Sequence, residues 1–460
     1  MFANRLLRRH KALTACAASV AALAAGVALS TPAVAQSDST GSIVYQVNPH
    51  AKLYKATAVP AAFPSPAECV QQYGLACYTP SEIRQAYDIP DSFTGAGQSI
   101  AIIDAYGSPT VQSDLDTFDA AMGLPKFNDL HVYCPSGCPN TMTAHSGQPG
   151  GWAGETSLDV QWAHAIAPGA QINLVVAPNN YGNALNNAVQ YAVDHGLGAV
   201  LSMSYGADES AISGGGNNLQ VQQAHQAFHD AVAKNISLFA STGDYGATDQ
   251  GSALTAGYPS SDPLVTAVGG TDLFTDKKGN YDTEWTWNDT DPATCPFGCR
   301  DGVFGATGGA VSSIFPAPSY QQGVTGYKMR APADVAYNAS VYTSVLVYMG
   351  FNANAADNGF YFMGGTSSGS PQWAAIGALA NQQAGHALGQ LNPQLYSLAG
   401  TNAFHDVTNG DNAWFDASGY PAGRGYDVPT GLGSPDVANL VAGLTGGGSS
   451  GGGSNGHGQH

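Results

Sequence analysis

From Tyr78 onward the chain alternates short apolar runs with longer stretches of helical period. Ser99–Ile103, Gln171–Val176, Gly198–Met203 and Ile236–Ala240 are continuous apolar runs, and the first ends at Asp104. Between them, helical spacing covers about 110–122, 153–166, 183–195 and 217–234. Runs with no polar alternation belong to strands covered on both faces, and strands alternating with helices require parallel crossovers. The pattern predicts an α/β fold with a doubly wound, mostly parallel sheet and helices on both faces. Such sheets place their sites at the carboxyl ends of the strands. The stretch 265–345 has more turns and aromatic residues and is expected to add antiparallel strands. A last helix is expected at about 435–443, and no internal repeat is visible.

The two ends read differently. Arg5, Arg8, Arg9 and Lys11 precede an apolar Leu13–Leu29 run and the small-x-small Ala33-Val34-Ala35. That is the layout of a bacterial export signal over 1–35, and the run is too short and Ala-rich for a membrane span. Residues 36–77 hold several prolines and little pattern, as expected of a short pro-segment or N-terminal extension. Residues 78–445 form one domain, and the Gly/Ser-rich 446–460 is expected to be a flexible tail.

Removing the signal takes away four positive charges and moves the net charge from −18 to −22. Only 10% of residues are charged, which argues against nucleic acid, whose phosphates need Lys and Arg. An excess of acids suits an acidic medium, where protonation discharges the surface; solubility alone explains it equally well. Six cysteines remain after the signal, in close pairs Cys69/Cys77, Cys134/Cys138 and Cys295/Cys299. They allow 15 disulfide pairings, of which the local one is simplest. The alternative is a four-thiolate zinc site built from the last two pairs.

Several constellations offer chemistry. Gly364-Gly365-Thr366-Ser367-Ser368-Gly369-Ser370-Pro371 opens a helix. Glycines permit a tight turn, and a helix N-terminus favours a nearby anion. A serine there is placed to attack a carbonyl and have the oxyanion stabilised; the plain alternative is a Gly/Ser loop with an N-cap. Glu155 and Asp159, four apart, share one face of an otherwise apolar helix. Paired carboxylates push one pKa upward, as acid–base work requires, although acids in a first turn also serve the helix dipole. Asp244 follows a strand in the Gly-rich loop Thr242-Gly243-Asp244, where an Asx-turn is the competing reading. Two late loops, His405–Gly410 and Ala422–Asp427, hold Asp carboxylates and Gly carbonyls, hard oxygen donors suited to calcium. His164, on the Glu155 helix, reads as structural.

Together these stretches resemble the sedolisin family, the serine-carboxyl peptidases, relatives of the subtilisins in which Glu and Asp replace the histidine base. The match runs from about Tyr78 to Leu444. It includes Tyr78–Tyr87, Ile102–Tyr106, Glu155-x-x-x-Asp159, Gly243-Asp244, Thr266–Thr271, Gly308–Ser312, Phe315–Pro318 and Gly365-Thr366-Ser367 with Pro371. Thr242 and Gly364 stand where serine is usual. The resemblance implies a subtilisin-like fold and an exported endopeptidase acting on proteins and peptides at acid pH. In it Ser367 is the nucleophile, Glu155 and Asp159 the acid–base pair, and protonated Asp244 the oxyanion donor. It also implies one structural Ca2+, held by carboxylates of Asp406 and Asp427 and carbonyls of Val407, Gly423 and Gly425. A monomer without stable membrane association is expected. The alternatives are an exopeptidase releasing short peptides from N-termini, or a non-catalytic secreted binding protein on the same scaffold. The family usually carries a large pro-domain; here about forty residues separate the signal from the mature-like start.

Overall fold

A computed structural model describes residues 42–446, apart from 48–49, 55–61, 140–150, 213, 250, 292–294, 300–301 and 353. The signal segment 1–35 and the tail beyond Gly446 lie outside the described residues.

The N-terminal part comprises β1 (His50–Leu53), α1 (Pro66–Tyr73), β2 (Ala76–Tyr78) and α2 (Pro80–Ala86). The alternation follows: β3 (Ser99–Ala105), α3 (Val111–Met122), β4 (Leu130–Tyr133), α4 (Trp152–Ile166), β5 (Gln171–Ala177) and α5 (Gly182–His195). Next come β6 (Val200–Met203), β7 (Ala207–Asp208), α6 (Leu219–Ala233), β8 (Ser237–Ser241) and β9 (Gly257–Tyr258). Then β10 (Thr266–Thr275), β11 (Tyr281–Thr286), β12 (Val335–Asn338), β13 (Thr343–Met349) and β14 (Gly359–Gly364) lead into α7 (Thr366–Ala384). The chain closes with α8 (Asn392–Ser397), β15 (Phe404–His405), β16 (Ser434–Pro435) and α9 (Val437–Leu444).

The central sheet runs β11-β10-β8-β6-β3-β5-β4, with β12 also on β10. All its pairings are parallel except β10–β11, an antiparallel hairpin at one end. The doubly wound α/β expectation holds because β3, β5, β6 and β8 are buried along almost their whole length. Such strands bury both faces and so read as continuous apolar runs. A second sheet, β1-β14-β13-β2, joins the N-terminal residues to the strand preceding α7. The proposed boundary at Tyr78 falls inside this sheet, at the last residue of β2.

Two helices position the site. Every residue of α4 is buried, as are Thr366–Asn381 of α7. A helix apolar on all sides belongs in the core, and here the few carboxylates on α4 are carried inside with it. α7 lies close on the sheet because Gly369 has no side chain: a Cβ there would meet Val268 Cγ1 at 2.7 Å. The three local cysteine pairs are disulfides, which removes the thiolates that a zinc site would need.

Candidate active site

The site forms where the predicted sheet edge and the two buried helices meet. Ser367 is the second residue of α7, with its backbone at the helix N-terminus. The turn into α7 is set by Gly365, whose φ of +122° is strained for any other residue. A Cβ on Gly365 would also approach Asp244 Oδ2 at 2.9 Å. The glycine therefore lets the Asp244 carboxyl lie against the start of the helix. Asp244 Oδ1 accepts from the Thr366 amide and the Thr366 hydroxyl, each at 2.7 Å. Asp244 is buried, and that burial pushes its pKa up to about 6 against the pull of the Thr366 bonds.

Glu155 and Asp159 are completely buried on α4, one turn apart as expected. Ser204, just beyond β6, ties them to the nucleophile. Its hydroxyl donates to Asp159 Oδ1 at 2.9 Å, while its carbonyl accepts the Ser367 hydroxyl at 3.4 Å. Neither Glu155 oxygen nor Asp159 Oδ2 has a partner at hydrogen-bonding geometry. Burial drives both carboxyls well above their ordinary pKa range. Against this, the nearby Ser367 side chain lowers that of Glu155, and Ser204 that of Asp159.

A third carboxyl belongs to the cluster and was not singled out as functional from the sequence. Asp104, next to last in β3, is fully buried with both oxygens unpartnered. Burial raises its pKa to about 7, and its charge raises those of Glu155 and Asp159. The signal was present: an acid at the carboxyl end of an apolar parallel strand is expensive to bury and sits where such sheets keep their sites. His50 was also missed. Burial lowers its pKa to about 4, its Nε2 has no partner, and its ring meets Tyr245 and Trp287 edge-on. His164 is structural, as expected: it is buried against Phe127, with Nε2 3.2 Å from Asp119 Oδ1.

The late loops bring Asp406 and Asp427 near each other, since the charge of Asp406 helps raise the pKa of Asp427 to about 6, after burial. Both Asp406 oxygens accept from the Gly425 amide at 3.1 Å. Asp427 accepts from the Gly423 amide at 3.0 Å and from Thr430. Among the described residues no group of three or more His, Cys, Asp or Glu is placed to hold a metal. The donor set expected from the sequence, two carboxylates plus main-chain oxygen, would suit a hard cation.

Comparison with known proteins matches residues 128–419 to the subtilase family model. Kumamolisin of a Bacillus species is 35% identical over 382 residues, 80% of this chain and 63% of that protein. Sedolisin of a Pseudomonas species is 30% identical, across 79% of this chain and 61% of that protein. Mouse tripeptidyl-peptidase 1 is 26% identical, across 79% of this chain and 64% of that protein. The chain thus spans about three fifths of the length of these relatives. The solved structure of Pseudomonas sedolisin, a serine-carboxyl proteinase bound to pseudo-iodotyrostatin, superposes with a TM-score of 0.67 at 28% identity. That match covers 80% of this chain and 98% of that one. The chain has the subtilisin-like fold and belongs to the subtilase family, within its sedolisin group.

Proposed function

We propose that this protein is an exported serine-carboxyl peptidase that hydrolyses proteins at acid pH. The observation that carries the reading is the convergence of a helix-initial serine with buried carboxyls of raised pKa. Ser367 Oγ attacks the peptide carbonyl and its proton passes to Glu155. Asp159 holds the pair's charge and orientation, and Ser204 links it to the nucleophile. The oxyanion accepts hydrogen bonds from the Ser367 amide and from protonated Asp244. As the tetrahedral intermediate collapses, Glu155 gives its proton to the leaving amine and Ser367 keeps the acyl group. Water then attacks the ester, Glu155 takes its proton and returns it to Ser367, and the acid product leaves.

Acid quenching during turnover tests this reading. Mass mapping should find an acyl adduct on the peptide carrying Ser367. An adduct elsewhere, or turnover that persists in Ser367→Ala, would contradict it.

A second reading, release of short peptides from N-termini, draws support from the tripeptidyl-peptidases among the relatives. The product ladder from a long substrate separates the two. Internal fragments appear first for an endopeptidase and stepwise short peptides for an exopeptidase. A non-catalytic binding protein is disfavoured by the complete set of acid and nucleophile side chains.

Asp406 and Asp427, with the carbonyls of Val407, Gly423 and Gly425, are the residues that would hold one calcium ion. The ion would tie two loops together and take no part in the chemistry. Export rests on the 1–35 signal reading. Among the described residues no helix is long and apolar enough to cross a membrane. The expected partners are protein and peptide substrates, with the chain itself a monomer.

A further inference from the structure

Asp272 and Asp289 form a buried acid pair outside the Glu155 cluster. Asp272 stands in β10 opposite Trp285 of β11, and Asp289 lies just beyond the end of β11. They are 0% and 2% exposed. Asp289 has donors: Trp287 Nε1 donates to Oδ2 at 2.7 Å and the Ser340 hydroxyl to Oδ1 at 3.1 Å. Asp272 has none at hydrogen-bonding geometry on either oxygen. Among the described residues no Lys, Arg or His forms an ion pair with either acid. The other titratable groups facing them are Glu284 of β11, Tyr78 of β2 and, across Trp287, His50 of β1. His50 is neutral above about pH 4, because burial lowers its pKa to about 4. Above that pH no counter-charge is on hand for the ionised pair, and a buried carboxylate without one is disfavoured.

What the pair touches leads to the nucleophile. Ser340, which donates to Asp289, follows Ala339, and the Ala339 and Ser340 amides donate to the Thr271 carbonyl at 2.8 and 3.3 Å. Thr271 immediately precedes Asp272. The Ala339 carbonyl in turn accepts the Gly365 amide, two residues before Ser367. These segments leave no spare room. A Cβ on Gly364 would meet Ala339 O and Val341 N, each at 2.5 Å. A Cβ on Gly270 would meet Ala339 Cβ at 2.8 Å, Trp287 Cε3 at 2.9 Å and Thr366 Cγ2 at 3.2 Å. Interiors packed this closely transmit small shifts. The turn that sets Ser367, and that holds Asp244 through Thr366, therefore rests on Ala339 and Ser340, and these rest on the acid pair.

Burial, then the charge of Asp289, holds the Asp272 carboxyl well above the ordinary aspartate range. Burial raises Asp289 to about 7 against its hydrogen bonds. In an opened chain both carboxyls ionise at about pH 4. Folded, the pair keeps its protons up to about pH 7 and, on Asp272, beyond. The closed turn thus binds more protons than the opened one throughout this interval, and its stability falls as pH rises.

We infer that Asp272 and Asp289 are positioning residues for the nucleophile turn: protonated, the pair supports Ala339–Ser340 beneath Gly364–Ser367, and its ionisation loosens that support. This role rests on the reading of Ser367 as nucleophile. The protein then carries two separate responses to pH. Asp244 governs the oxyanion at once and reversibly, whereas the Asp272–Asp289 pair governs how long the turn survives away from acid.

Hydrogen exchange on the full chain between pH 5 and pH 8, divided by the intrinsic exchange rate at each pH, tests this. Peptides covering 336–342 and 360–367 report the turn, and a peptide within β5 serves as reference. In the wild type, protection of the turn should fall at least about tenfold more than that of β5 across this range, since one proton of linkage allows up to about tenfold per pH unit. Asp272→Asn, which cannot ionise, should remove most of that extra fall. As a second readout, samples held at pH 8 or at pH 4 are assayed for peptide hydrolysis at pH 4. The ratio of the inactivation rate at pH 8 to that at pH 4 should drop at least about tenfold in Asp272→Asn. A merely structural role would change both rates by the same factor. Equal pH dependence of the turn in the wild type and in Asp272→Asn overturns the inference. So does a wild-type turn whose protection follows that of β5, a result that decides the matter even where the variant does not fold. Exchange as expected in a protein without peptidase activity at any pH would refute the peptidase reading while upholding the pair's hold on the turn.

Discussion

Buried carboxyls occur in two kinds of place in this molecule, and the difference separates structure from chemistry. Asp334 is completely buried, and donors converge on it. Arg330 donates to both oxygens, Tyr396 to Oδ1 and the Ala267 amide to Oδ2. Glu284, also buried, accepts from Tyr87 and Thr271 on Oε1 and from Ser434 on Oε2. These acids join β10, β11 and the C-terminal loops. Glu155 and Asp104 are buried as deeply, yet none of their oxygens has a partner at hydrogen-bonding geometry. A buried acid without partners is costly, so it persists where something uses it. Absence of partners is not sufficient by itself, because Asp272 shares it, beside Asp289 in the β10–β11 region. What marks the Glu155, Asp159 and Asp104 group is its meeting with a helix-initial serine.

The contrast breaks most sharply under paired amide substitutions. Glu155→Gln should lower kcat/KM by about 10^3-fold or more, while unfolding free energy changes by no more than about 1 kcal/mol. Asp334→Asn should do the reverse. It leaves Arg330 buried without its counter-charge and costs about 3–5 kcal/mol, with activity per folded molecule retained. Denaturant titration beside steady-state kinetics measures both. Equal stability loss in the two variants would erase the distinction.

Asp244→Asn sharpens it next. Asp244 donates to the oxyanion only while protonated, so wild-type activity should fall as pH rises through about 6. Asn cannot ionise; it should lower kcat by about 10^2-fold and abolish that alkaline limb. An alkaline limb unchanged in the variant would assign it to another group. A smaller effect is expected from Asp104→Asn. Asp104 itself titrates near 7, so its charge raises the pKa values of Glu155 and Asp159 only toward neutral pH, and Asp104→Asn should leave the acid side of the pH–rate profile in place. Any difference from the wild type should be confined to pH values near and above 7, and a shifted acid limb would show that Asp104 is already ionised at acid pH. The least effect belongs to calcium. At neutral pH a chelator should lower the melting temperature by a few degrees without changing kcat at temperatures where the protein stays folded. No shift would remove calcium from the Asp406 and Asp427 loops.

Much of this was legible in the sequence. The doubly wound sheet showed because its strands are buried on both faces and lie in short, mostly apolar runs. Glu155 and Asp159 showed because two acids one turn apart contrast with Leu158, Val160 and Trp162. Asp104 was visible as the end of a strand, but one acid among apolar residues carries no partner spacing to announce its role. The placement of residues 43–47 and 50–54 had no signature at all. Their attachment is made by main-chain hydrogen bonds to Asn180, Gly206 and β14, which any sequence can supply.

The central claim is tested most directly by the rate of cleavage of a denatured protein substrate from pH 2 to pH 8, wild type against Ser367→Ala. The account predicts an acid optimum in the wild type, a decline through about pH 6, and a loss of about 10^4-fold or more in the variant at every pH. An optimum at neutral pH, or activity that survives the loss of Ser367, would contradict it.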